Sequence, residues 1–126
     1  MKKTMMMGAL LVLLALAATA SAQFAKLKNT TPGERAAIQN ELMKSKLGLS
    51  PDQEKKIAEL NLKYANKMQP IIQGSEGPFE EMRDVRSINE EKEGELKRIL
   101  SPDQFQKYLA GKEEMREKFE QRIMSK

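Results

Sequence analysis

The sequence predicts an all-α protein built from four helices, on three observations. No sustained alternating run of β-branched residues occurs, and Val85 is the sole valine after residue 22. Proline opens each of four segments, at Pro32, Pro51, Pro78 and Pro102, three of them behind a Thr or Ser able to cap a helix. Within those segments the apolar residues recur at steps of three and four, the spacing of one helix face.

The chain begins with an address. Met1-Lys2-Lys3 is a short positive region, Met5 to Ala18 is an uncharged apolar run, and Thr19-Ala20-Ser21-Ala22 supplies the small residues a signal peptidase reads. Residues 1–22 are therefore expected to be a secretory signal peptide cleaved between Ala22 and Gln23. The rival reading is a retained anchor, since the charge-free stretch from Thr4 to Phe24 is barely long enough to span a membrane. The Ala-x-Ala ending and the short apolar region favour cleavage, which leaves no stable membrane anchor. No cysteine follows, so a lipoprotein is excluded.

Removing residues 1–22 from the 126 leaves 104, enough for one domain. Residues 23–31 carry no strong pattern and are expected to form a flexible N-terminal arm. The helical domain spans 32–126. Its first helix is predicted from Pro32 to Leu47: Thr31 caps, Glu34 can reach back to the cap, Ile38, Leu42 and Met43 face inward, and Gly48 ends it in a left-handed conformation. The second begins at Ser50-Pro51-Asp52-Gln53, a capping box with an acid at the positive end of the helix dipole. Its stripe is Ile57, Leu60, Tyr64, Met68 and Ile71, and Pro70 is expected to interrupt or kink it.

Gln73 to Pro78 is the clearest break in the chain. The third helix is predicted from Pro78 or Phe79 to about Ile99, with Phe79, Met82, Val85, Ile88, Leu96 and Ile99 as its stripe. Its polar middle, Asn89 to Glu95, contains Gly94 and is expected to face solvent on most sides or to be a weak point. Ser101-Pro102-Asp103-Gln104 opens the fourth helix, which runs to about Ile123. Phe105, Tyr108, Lys112, Met115, Phe119 and Ile123 form its stripe, the Lys112 stem covering apolar surface. Glu114 and Lys118 are a pair one turn apart on the wet face. Long helices with thin apolar stripes enclose little core in one copy, which favours a homodimer sharing apolar faces.

Composition excludes several functions. With no Cys and no His there is neither a disulfide framework, nor a thiolate or imidazole metal site, nor a catalytic triad. Setting aside Lys2 and Lys3, 20 Lys and Arg stand against 18 Asp and Glu, a net +2 too even for a nucleic-acid footprint. Four Phe and two Tyr are too few for a base-stacking surface. Acidic residues gather at Glu80, Glu81 and Asp84 and at Glu90, Glu91, Glu93 and Glu95. Carboxylates alone suit a hard ion such as Ca²⁺, but no loop has Ca²⁺-ligand spacing, so no metal and no cofactor are expected. Nothing points to a cleft, a nucleophile or a cofactor loop, and no enzyme is expected.

The most specific signal is a repeat. Leu49-Ser50-Pro51-Asp52-Gln53 and Leu100-Ser101-Pro102-Asp103-Gln104 are identical pentads 51 residues apart, each with a lysine three positions on, at Lys56 and Lys107. One such box marks only a good helix start; two, each preceded by Leu, suggest equivalent corners. At the second corner Leu100 can staple onto Phe105, whereas at the first the equivalent residue is Glu54, so Leu49 must find another partner such as Ile57.

With its two pentads the chain resembles the Spy/CpxP-like periplasmic proteins, marked by two LTxxQ motifs. Both read LSPDQ here, with Ser in place of Thr at Ser50 and Ser101. The resemblance covers most of the chain in layout. It implies a four-helix bent hairpin that dimerises, antiparallel, into a thin cradle. It also implies a periplasmic envelope-stress role, either ATP-independent chaperoning of unfolded or misfolded envelope proteins or inhibition of a sensor kinase. Leu49, Ser50, Gln53, Leu100, Ser101 and Gln104 carry over as structural residues that set the corners; no client-binding residue can be placed by motif. Met43, Met68, Met82, Met115 and Met124 offer adaptable apolar surface for a client or fill the core. Lys63, Lys67, Arg83, Arg86, Lys112 and Arg116 either steer acidic clients or simply solvate helix faces. A dedicated interaction protein with one partner, and a structural helical module with no client, are the alternatives.

Overall fold

The structure, a computed structural model, describes residues 26–74 and 77–126. The predicted signal segment and its cleavage point lie outside the described residues. Among the described residues there are four long helices, α1 (Pro32–Leu47), α2 (Pro51–Ile72), α3 (Pro78–Ile99) and α4 (Pro102–Met124), and no strand.

Three of the four helices begin at a capping side chain, and α3 begins at Gly77-Pro78 without one. Thr31 Oγ1 accepts from the Glu34 N–H at 3.1 Å, although the Glu34 carboxylate turns to Lys126 at 3.2 Å rather than back to the cap. At Ser50 and Ser101 the capping box is complete. Each Ser Oγ accepts from the third helical N–H at 3.2 Å, and the Gln side chain accepts from the Ser N–H, at 3.0 Å for Gln53 and 2.9 Å for Gln104. Gly48 closes α1 at φ 61° and ψ 57°, its N–H bonded to the Lys44 carbonyl at 3.3 Å. A side chain there would strain against its own backbone, hence glycine. Pro70 does not end α2, which continues to Ile72.

α1 packs on both α2 and α4, α3 packs on α2, and α3 and α4 barely touch beyond the corner that joins them. The predicted stripes meet in one cluster: Ile38, Leu42, Met43 and Leu47 from α1, Ile57, Leu60 and Tyr64 from α2, Leu96 and Leu100, and Met115 and Ile123 from α4. Leu49 and Phe105 pack against this cluster from the two corners. Each fully buried Leu or Ile contributes roughly 1.5–3 kcal/mol relative to exposure. Gly111 of α4 sits under the Lys46 side chain of α1: a Cβ there would be 2.7 Å from Lys46 Cε, the flexible end of a chain that can swing aside.

Two expectations need correcting. The stripe of α3 does not bury along its length: Phe79 is 90 % and Met82 67 % exposed, Val85 and Ile88 are half-buried, and full burial begins only at Leu96. The N-terminal half of α3 therefore presents apolar residues outward. The acidic middle of α3 is not merely solvated, because it is tied to three other helices, as described below. Ahead of α1, the Asn29 and Thr30 amides bond to the Lys26 and Leu27 carbonyls, each at 3.0 Å, and Arg35 of α1 reaches back to this turn. Arg35, 3 % exposed, donates to the Thr30 carbonyl at 2.9 Å, to Thr30 Oγ1 at 3.1 Å and to the Leu27 carbonyl at 3.4 Å, and also to Gln69 Oε1 on α2. Burial lowers the guanidinium pKa below its usual value, opposed by the charge of Glu34.

Candidate functional site

The two pentads meet in space. Gln53 Nε2 donates to Gln104 Oε1 at 2.7 Å, and Gln104 Nε2 donates back to Gln53 Oε1 at 3.0 Å. Each amide also reaches across to the end of the helix before the other pentad: Gln53 Nε2 to the Ile99 carbonyl at 3.2 Å, and Gln104 Nε2 to the Gly48 carbonyl at 3.3 Å and the Leu47 carbonyl at 3.4 Å. Gly48 and Ile99 occupy equivalent places, two residues before Ser50 and Ser101. The hydrogen bonds at the two corners are thus reciprocal. One glutamine side chain closes its own capping box, clasps its counterpart and satisfies a carbonyl left open at the end of the opposing helix. That explains why the fifth position of both pentads is Gln. A carboxylate would lack the donor, and Asn would be a methylene shorter.

The second feature is a polar belt on α3. Glu91 and Glu95, one turn apart, face α2 and accept from Lys67 at 3.0 Å and Lys63 at 2.7 Å. Both ammonium groups also lie over the Tyr64 ring, 5.2 and 5.0 Å from its centroid. Glu93 points the other way, to Lys112 of α4, and Lys92 reaches Gln39 of α1 at 3.0 Å. The hydrogen bond from Lys63 and then that from Tyr64 hold the Glu95 carboxyl below the usual range. Burial first, and then the bond to Glu95, push the Tyr64 phenol up to about 12. Lys63 and Lys67 are thereby matched by carboxylates instead of standing free to steer a client. Glu114 takes Lys118, as predicted, at 3.1 Å, and also Lys46 at 2.7 Å.

The third feature is the open end of α3. Phe79 and Met82 stand exposed among Glu80, Arg83 and Arg86, all of them exposed as well. Of the other methionines singled out above, Met43 and Met115 are buried, Met68 is half-buried, and Met124 is 44 % exposed. Only Met82 and Met124 offer much free surface. Among the described residues no three acidic side chains gather as a metal-ion site, and no helix is long and apolar enough to cross a membrane.

A family model described as a domain of unknown function (DUF4890) matches residues 20–108. The chain belongs to the DUF4890 family. The DUF4890 match takes in both pentads, α1 to α3 and the first turns of α4. No curated protein and no solved structure matches the chain.

Of the predicted motif residues in this DUF4890 chain, all six lie at the corners. Leu100 is buried and Leu49 half-buried, the serines cap, and the glutamines clasp. Sequence reasoning missed Arg35, the Gln–Gln pair itself and Asn61. Asn61 is fully buried between α1 and α2 and donates to Asn40 Oδ1 at 2.7 Å. Identity of the pentads was the available signal for the Gln pair. Asn61 lay one position past Leu60 on the inward face, and its polarity concealed it.

Proposed function

We propose that this protein is an exported, ATP-independent chaperone of the Spy/CpxP-like type, which binds unfolded or misfolded envelope proteins in the periplasm as a thin antiparallel homodimer. The observation that carries the reading is the exposed pair Phe79 and Met82, ringed by charge at the end of α3. A holdase needs apolar surface that accepts many sequences weakly. Burying one such side chain contributes roughly 1.5–3 kcal/mol, so two give capture that still permits release. The thioether adapts its shape to different clients. The doubled LSPDQ box supports the same reading through its likeness to the LTxxQ pair.

Light scattering tests it. Purified protein in several-fold excess should slow aggregation of a chemically unfolded client, and the double substitution Phe79→Ser, Met82→Ser should abolish most of that effect with helicity unchanged. No suppression by the unsubstituted protein would sink the chaperone reading. Sedimentation of the same samples tests the dimer.

The patch is confined to one helix end, which also suits one dedicated partner, such as the sensor domain of a stress kinase. Saturable binding to a single envelope protein, without any effect on generic clients, decides for that alternative.

A further inference from the structure

α3 and α4 are joined at the Leu100–Ser101 corner and touch little beyond it, and α1, packed on α4, supplies the third wall of the space between them. That space is a cleft of about 250 Å³ lined from all three helices. Its apolar wall is made by Met43 and Met115, both buried, and by the half-buried rings of Tyr108 and Phe119. The α3 side carries Lys92, whose ammonium donates to Gln39 Oε1 at 3.0 Å. Lys92 is half-buried; an ammonium has three donors, and a charge drawn out of water is normally paired with an opposite one. Lys92 has no ion-pair partner among the described residues. The carboxylates in the cleft wall are already engaged: Glu93 with Lys112, and Glu113 with Arg116 at 2.8 Å. Arg116 also takes Glu120 at 2.9 Å, so the other two cations of the wall are fully paired and Lys92 alone among them is left without a carboxylate, set against apolar walls. Burial pushes the Lys92 amine down to about 8, so it remains an ammonium at neutral pH.

Size and charge narrow the ligand. Sites for drug-sized molecules run to about 300–1,000 Å³, so this one takes something smaller, with a single chain. One unmatched cation suits a monoanion; a phosphate would call for the forked donors of arginine or for several cations. We propose that this cleft is a binding site for a small anionic amphiphile, a monocarboxylate with a short alkyl chain, its carboxylate on Lys92 Nζ and its chain against Met43, Met115 and Phe119. The site is separate from the exposed end of α3 and does not depend on the chaperone reading.

Calorimetric titration of the purified protein with sodium octanoate, alongside 1-octanol, tests it. Octanoate should bind saturably at one molecule per chain, and 1-octanol about tenfold more weakly or worse, since it lacks the charge-assisted bond. Lys92→Gln should lose affinity by a similar factor, while Lys92→Arg, which keeps the cation, should bind close to the unsubstituted protein. Methyl NMR locates the ligand: the Met43 and Met115 signals should move, and that of Met82 should not. Absent saturation, equal affinity for the alcohol, indifference to Lys92→Gln in a variant of unchanged helicity, or shifts at Met82 alone would each overturn the assignment.

Discussion

The clasp between the corners gives a double-mutant cycle whose outcome can be worked out beforehand. In Gln104→Ala the chain loses both bonds of the reciprocal amide pair, at 2.7 and 3.0 Å, and the 2.9 Å bond that closes the second capping box. The contacts to the Gly48 and Leu47 carbonyls, at 3.3 and 3.4 Å, are longer and worth less. At about 1 kcal/mol net for each good bond, the loss is roughly 2–3 kcal/mol. Gln53→Ala loses the same pair and the equivalent box, so its cost is similar. The amide pair is counted in both single variants and can be lost only once. The double variant should therefore fall short of the summed costs by about 1–2 kcal/mol, the share of the two mutual bonds. Urea unfolding of the four proteins measures this, provided the slopes agree. Additivity within about 0.5 kcal/mol, the behaviour of unconnected sites, would refute the clasp.

Four further outcomes are expected. Ser50→Ala and Ser101→Ala should each cost on the order of 1 kcal/mol through loss of a cap, read from the melting temperature. Gly94→Ala should stabilise by roughly 0.5–1 kcal/mol, because Gly94 is inside α3 and a methyl there meets nothing within 4 Å; a loss of stability in thermal melts would show a constraint on that site. Arg35→Ala removes the tether of residues 26–31 and should raise hydrogen exchange at the Thr30 amide, which bonds to the Leu27 carbonyl at 3.0 Å; unchanged protection would mean that the turn holds itself. Stability should also depend on pH at both ends. Hydrogen bonds from Lys46 and then Lys118 hold the Glu114 carboxyl at about 2, below its ordinary 4.5, so its contribution is full above pH 4.5 and vanishes as the pH falls towards 2. Lys92 acts oppositely: its folded value of about 8 lies below the ordinary 10.5, so the unfolded chain binds the extra proton and stability rises between pH 8 and 10.5. Tyr64 and Tyr108, both pushed up to about 12 chiefly by burial, subtract stability between pH 10 and 12. Lys92→Met should erase the rise and leave the fall, as melting curves against pH will show.

Helix starts and ends were legible because they are written locally. A Ser or Thr before Pro, or a glycine that must turn left-handed at Gly48, acts within three or four residues and needs no knowledge of the rest of the fold. Burial at Ile57, Leu60, Met115 and Ile123 followed from spacing alone. Phe79 and Met82 share that spacing and yet stay exposed, because a stripe shows which side of a helix is apolar and not whether another helix lies beside it. The belt at Glu91 to Glu95 read as a solvated run since its partners, Lys63, Lys67 and Lys112, are 19 to 32 residues away. The Gln53–Gln104 contact spans 51 residues, and only the likeness of the two pentads hinted at it.

The matching corners also separate two things that a helix start is often assumed to determine together. Identical five-residue phrases, with identical caps, launch α2 flat against the helix that precedes it and α4 away from the helix that precedes it. Departure point is encoded in the phrase; departure angle is not, and is imposed by whichever neighbour the outgoing rod finds. A repeated motif in this chain is thus a joint with a defined pivot and an undefined opening, and transplanting it elsewhere would move the pivot without carrying the angle along.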